Sequence, residues 1–314
     1  MSFITSMGVL SIIIYTFYPL VPITHNVYAF SGPYRINSEA LSLKITAFTV
    51  DGVPMIQKGD DLGAIVASLA KIEDDDIVVF AHTIVSKAEG RRYSLDGIVP
   101  TQRAVELAGL NNEDPRFIQH VLTNSTKVLM KRPLLVQTVW GNVCINAGTD
   151  RSNTESGHIL SLPENPDASA RRIRDRILEL TGKRVAVIIT DTNGRSFREG
   201  QIGVTVGCAG ISALHDKRGD KDLFGHELKI TIQAIADEVA ACANMLMGEA
   251  DEGTPIAIIR GYQYTKDDNG IKPSFRADGT DLVKQALLEK VARDEKTPVK
   301  DIVSYREPSP DIYS

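Results

Sequence analysis

A short apolar run that ends at an acid constrains this chain more than any other stretch. Val185, Val187, Ile188 and Ile189 belong to VAVIITDTNGRSFREG, residues 185–200, and a β-branched run without polar alternation reads as a strand buried on both faces. Asp191 then sits at a strand tip, where backbone leaves the sheet and side chains can converge on a ligand. Asp191 and Thr192 offer hard oxygens suited to Mg²⁺ or Mn²⁺. Gly194 allows a tight turn, and the guanidinium forks of Arg195 and Arg198 match phosphate or carboxylate. An Asp-Asn-Gly turn between two strands, flanked by solvated arginines, accounts for this stretch equally well.

The 314 residues, 43% hydrophobic and 24% charged, suffice for a sizeable core in one large domain or two modest ones. A formal charge of -5 with no dense Lys/Arg run argues against a nucleic-acid binder, so anionic ligands must be held locally. Cys144, Cys208 and Cys242 are widely spaced and odd in number. They suggest neither a disulfide framework nor a zinc site, but core thiols in a reducing cytoplasm.

Residues 1–42 stand apart as an apolar extension. Met7–Ile23 resembles a membrane segment, yet Thr16, Pro19 and Pro22 interrupt it, and it falls short of the roughly 20 clean residues needed to span. With no Lys or Arg before it, it lacks the charged start of a secretory signal. Three readings apply: an anchor, which would bring membrane contact, a partner-binding tail, or upstream sequence translated only on paper, the last being preferred.

From Leu43 a globular pattern begins and continues to 295, with a tail at 296–314. Leu43–Val50 and Ile77–Ala81 read as strands, with a helix over Asp61–Leu69 between them. The segment HTIVSKAEGR that follows reads as a solvated loop or as a nucleotide pocket carrying His82, Thr83 and Lys87. Helices are predicted over Thr101–Leu110, Asp114–Asn124, Pro166–Thr181, Ile230–Met247, the longest, and Thr280–Arg293. Asn142–Ala147 leads to Asp150, a second acid at a strand tip. A divalent cation with a nucleotide needs oxygens from separate loops, and Asp150 with Asp191 could supply two. Two unrelated turns explain the spacing as well. The loop Gly248–Gly253 adds a third acidic segment, before a strand at Pro255–Arg260.

The runs NVCINAGTDRSN and GKRVAVIITDTNGRSFREG, the pair KDLFGHEL with ADEVAACANMLMGE, and the early VPMIQKGDDL and TIVSKAEG together resemble the coenzyme F420:L-glutamate ligases, or gamma-glutamyl ligases, in order from Leu43 to Arg260. The resemblance implies an α+β fold particular to that family, with mixed sheets and packed helices in an intertwined homodimer, neither P-loop nor Rossmann. The absence of GxxxxGK[ST] and GxGxxG agrees. It implies GTP-dependent addition of L-glutamate to the lactyl carboxylate of a deazaflavin precursor, then gamma-linked extension, through an acyl phosphate.

By the same resemblance GTP, as co-substrate, would contact Val53, Pro54, Met55, Ile56, His82, Thr83, Lys87 and Asn153. The loop Met247, Gly248, Glu249, Ala250, Asp251, Glu252, Gly253 and Thr254 would close over it. Asp150, Asp191, Thr192 and Glu249 would hold two divalent cations, Mg²⁺ or Mn²⁺, with potassium as a further cation. Lys87, Arg195 and Arg198 are the candidate catalytic residues, the two arginines from residue type alone, as holders of transferred phosphate or substrate carboxylate. His82 stands where relatives often carry a small hydroxyl residue, and the segment after Arg260 diverges, so substrate contacts there do not transfer. A single ligase unit is expected. Two other readings compete: a phosphohydrolase with Asp191 as nucleophile, which wants an acid where Asn193 stands, and a non-catalytic, membrane-tethered nucleotide or deazaflavin binder.

Overall fold

The computed structural model describes residues 44–151, 154 and 157–296. The extension at 1–42, Asn153 and the tail beyond 296 lie outside the described residues. In chain order the elements are β1 (Thr46–Thr49), α1 (Leu62–Leu69), β2 (Ile77–Ala81), α2 (His82–Ala88), β3 (Arg92–Ser94), α3 (Gln102–Asn111) and α4 (Pro115–Thr123). There follow β4 (Ser125–Lys131), β5 (Leu134–Thr138), β6 (Val143–Ile145), β7 (His158–Leu160), α5 (Pro166–Thr181), β8 (Ala186–Arg195) and β9 (Arg198–Ala209). The last are β10 (His215–Asp216), β11 (Ile232–Gln233), α6 (Ile235–Met247), β12 (Ile256–Arg260) and α7 (Leu282–Glu295).

The central sheet has five strands in the order β1-β12-β2-β8-β9. β2 and β8 run parallel, and every other neighbouring pair is antiparallel. A mixed sheet of this kind is α+β, and it is neither a Rossmann nor a P-loop arrangement. β8 is buried on both faces along residues 186–190, as its apolar run requires. Val187 and Ile189 share a core with Val66 of α1 and with Ala170, Ile173 and Ile177 of α5. Ala186 and Ile188, pointing the other way, share one with Ile235, Ala236, Val239 and Ala243 of α6. Burying such side chains stabilises the fold by roughly 1.5–3 kcal/mol each.

Local chemistry sets the covering helices. Asn165 caps α5, its Oδ1 accepting from the Ala168 amide at 2.9 Å, Pro166 occupies the first turn, and Gly182 ends the helix at φ 69°. Both α5 and α6 press onto β9 because glycines face them. A Cβ on Gly207 would lie 2.4 Å from the backbone of Pro166, and one on Gly203 would lie 2.6 Å from both the Ala240 carbonyl oxygen and the Asn244 Cβ. A smaller sheet, β4-β5-β6, is covered by α3 and α4 over a separate core, while α7 packs its Leu288, Val291 and Ala292 against Leu129 of β4.

Three local expectations change. Asp191 to Gly194 is not a turn: β8 runs on through these residues, paired with β9 as far as Arg195–Arg198. β2 accompanies β8 only to the pair Ala81–Thr190, so from Asp191 onward β8 and β9 form a two-stranded ribbon beyond the sheet. Its turn lies at Ser196 and Phe197, and Phe197 takes φ 66° with 98% of its surface exposed. The predicted helix over Ile230–Met247 begins only at Ile235, because Ile232–Gln233 pairs with His215–Asp216; α5, with 16 residues, is the longest helix described. The segment after β2 is not a loop but α2, which starts with no intervening residue.

Candidate active site

A cavity of about 790 Å³ opens at the carboxyl ends of the parallel strands β2 and β8, where the latter leaves the sheet. Five segments supply most of its lining: Val53–Ile56, α2 with His82, Thr83, Ile84 and Lys87, the stretch from Ile145 to Asp150, Thr190–Gly194 of β8, and Met247–Pro255. Each is fixed by local structure. The Val53–Ile56 turn is flanked by the Val50 amide bonded to the Ile256 carbonyl at 2.9 Å and the Gly59 amide bonded to that of Ala88 at 2.8 Å. After β6, Asn146 and Ala147 both take positive φ, 52° and 56°, which swings the chain towards Asp150. Asp150 then exchanges two backbone hydrogen bonds of 2.8 Å with Leu160.

The electrostatics of the cavity are lopsided. Among the described residues, Asp150, Asp191, Glu249, Asp251 and Glu252 line it, against Lys87 and His82 as positive groups. His82 is buried, with Nε2 3.3 Å from Asp191 Oδ1 and no hydrogen-bond partner for Nδ1. Burial opposes charge on this imidazole, but the carboxylates of Asp191 and then Asp150 outweigh it and raise its pKa. Lys87 moves the other way: burial lowers its pKa, Asp150 opposes that, and Arg92 adds to it. Asp191 Oδ1 also accepts the Thr192 amide at 2.7 Å, and the Thr192 hydroxyl donates to Glu249 Oε1 at 2.9 Å.

Among the described residues no three His, Cys, Asp or Glu side chains form a ready-made metal cluster. The donors fit divalent cations by chemistry instead. Asp150, Asp191, Thr192 and Glu249 offer hard oxygens from three separate segments around one cavity, donors of the kind Mg²⁺ and Mn²⁺ take.

The structure thus brings to one cavity Val53, Pro54, Met55, Ile56, His82, Thr83, Lys87, Asp150, Asp191, Thr192 and the whole of Met247–Thr254. Asn153 lies outside the described residues. Arg195 and Arg198 depart from expectation. They are not among the lining residues, because the ribbon carries them past the cavity to an exposed end, where Arg195 Nη2 donates to the Glu199 carbonyl at 2.9 Å. Sequence reasoning missed Asn244, Gln201, Asn146 and Thr149, which also line the cavity. Asn244 had a legible signal, as the lone amide in the otherwise apolar run Ala240–Met247.

Comparison with known proteins bears on this site directly. The sequence profile of the F420-0:gamma-glutamyl ligase family matches residues 52–261, which contain every segment of the cavity. The chain belongs to that family. It is 45% identical over 246 residues to a coenzyme F420:L-glutamate ligase of Archaeoglobus fulgidus, covering 78% of this chain and 98% of the relative. It is 47% identical over 247 residues to the Methanosarcina mazei protein of the same name, covering 78% and 97%. A Methanopyrus kandleri relative, again so named, is 47% identical over 219 residues, covering 68% and 87%. The α+β architecture of mixed sheets and packed helices is therefore that of the gamma-glutamyl ligase family.

Proposed function

We propose that this protein joins L-glutamate to the lactyl carboxylate of the deazaflavin precursor of coenzyme F420, consuming GTP through an acyl phosphate, and then extends the product through gamma-glutamyl links. The observation that carries this reading is a single cavity that gathers segments from residue 53 to residue 255, all but one of them acid-bearing or phosphate-compatible in residue type. Five carboxylates facing one lysine and one histidine repel a bare triphosphate. Divalent cations would supply the charge neutralisation a nucleotide needs in this cavity, and Asp150, Asp191, Thr192 and Glu249 would hold two of them, with potassium as an accessory cation.

A carboxylate does not form an amide at neutral pH until one of its oxygens becomes a leaving group. Attack of that oxygen on the terminal phosphorus of GTP breaks the bond to the bridging oxygen, giving an acyl phosphate and GDP. The glutamate amine attacks the acyl carbon, the C–O bond breaks, and phosphate leaves while the nitrogen loses a proton. Divalent cations supply neutralisation of the charge that builds during in-line transfer. Lys87, its own pKa lowered by burial, clamps a phosphate oxygen. Asp191 and Thr192 hold their positions through the rigid β8 backbone, and the Met247–Thr254 loop shields the acyl phosphate from water.

The ribbon supports a homodimer. Phe197 at its turn is 98% exposed, and Leu223, Phe224 and Ile230 are also largely uncovered, which leaves them available to a contact between copies. A second copy is the partner we assign to them. No helix among the described residues is long and apolar enough to cross a membrane. The three cysteines are free thiols, which supports a reducing compartment, the cytoplasm, as the site of the reaction.

Mass spectrometry of the deazaflavin precursor incubated with protein, L-glutamate, GTP and Mn²⁺, each omitted in turn, tests the proposal. Glutamate-sized increments that require all of them are the expected result, and their number counts the residues added. GTP loss without glutamate would establish a phosphohydrolase, and no turnover by intact protein would establish a binding module.

A further inference from the structure

We propose that Asn244 is a positioning residue that locks Glu249 onto Thr192 and so fixes the loop after α6 to strand β8. Its amide nitrogen donates to Glu249 Oε1 at 2.7 Å and to Thr192 Oγ1 at 3.2 Å, while the Thr192 hydroxyl donates to the same Glu249 oxygen at 2.9 Å. The triangle is internally satisfied. Both amide hydrogens are used, the hydroxyl accepts one bond and gives one, and the carboxylate oxygen accepts two.

Packing explains why Asn244 is there. Gly203 faces Thr192 across the ribbon, and its missing side chain lets α6 come so close that a Cβ on Gly203 would lie 2.6 Å from the Asn244 Cβ. The residue across from Thr192 is therefore the surface on which Asn244 rests, and the amide emerges beside the hydroxyl. On the loop side, α6 ends at Gly248, whose φ of 73° and ψ of -176° suit glycine alone, its amide bonded to the Asn244 carbonyl at 3.1 Å. Asn244 thus holds the loop by backbone and side chain together. Glu249, exposed on a segment bounded by Gly248 and Gly253, would otherwise sample many rotamers.

The lock stands on geometry, and its effect on cations rests on the ligase reading above. Hydrogen exchange of the full-length protein separates the two. Asn244→Ala should speed exchange of the amides from Gly248 to Gly253 by about tenfold or more, as expected for losing a hydrogen bond to a charged group, with the start of α6 unchanged. Asn244→Asp should do the same. Combining it with Glu249→Gln reverses donor and acceptor and should restore protection. On the ligase reading, Asn244→Ala also raises the half-saturating Mn²⁺ concentration about 10–100-fold while the rate at saturating Mn²⁺ changes far less, and the reversed pair keeps the loop ordered without recovering Mn²⁺ affinity. Unchanged exchange in Asn244→Ala, or no rescue by the reversed pair, overturns the lock. Wild-type protein that binds no Mn²⁺ with GTP overturns the ligase reading and leaves the exchange result to decide the lock.

Discussion

Asp191 holds its place in the cavity through the Thr192 amide and His82, so its carboxylate can be neutralised in charge without disturbing its volume. Asp191→Asn should lower turnover more than about a hundredfold, beyond the loss typical of residues that merely support a ligand, while the urea midpoint stays near wild type. An active variant would remove Asp191 from the chemistry. A second titratable residue makes a pH prediction outside the site. His120 is buried, its Nε2 2.5 Å from Ser161 Oγ, and burial, aided by Arg91, pushes its pKa down to about 4. The unfolded chain takes up that proton near pH 6.5. Between these values the unfolded state binds more protons, so stability falls as pH falls through this window, by about 3 kcal/mol at most. Urea unfolding at pH 7 and pH 5 should show this loss in wild type and a smaller one in His120→Gln.

Elements were legible where their signals were local. α5 was readable to the residue because Asn165, Pro166 and Gly182 mark its ends, and the first half of β8, residues 186–190, because its apolar run reads as a buried strand. α2 was missed because a helix of seven residues with an apolar middle carries too little periodicity, and its first residues resemble a strand tip. The ribbon was missed because Asp-Thr-Asn-Gly has the composition of a turn, yet β9 offers it partners as far as Arg198; tertiary pairing overrode local preference. Gly203 and Gly207 show the same limit, since nothing local says which glycine a helix will press on. Gly207→Ala should destabilise the protein by about 1–3 kcal/mol, read as a lower urea midpoint, because α5 must retreat from β9. Gly194→Ala, with nothing within 4 Å of an added Cβ, should leave it near wild type.

At the scale of the whole molecule, most residues that line the cavity were legible as a set because resemblance joins distant motifs that spacing cannot. The two arginines, assigned by residue type alone, are the ones the fold carries elsewhere. They flank Phe197, and on the homodimer proposed above Phe197→Asp should shift the protein from dimer to monomer in sedimentation velocity; wild-type protein that sediments as a monomer, or a variant that sediments as wild type, would remove the ribbon from such a contact. The strand order has a consequence for how the chain is born. β12, residues 256–260, lies between β1 and β2, residues 46–49 and 77–81. As the polypeptide leaves the ribosome, the two strands made first cannot become neighbours of their final partner until some two hundred residues later. No shorter nascent chain owns a finished sheet or cavity. The edges of β1 and β2 that β12 will fill stay open throughout that interval, which is when the chain is most exposed to wrong pairing.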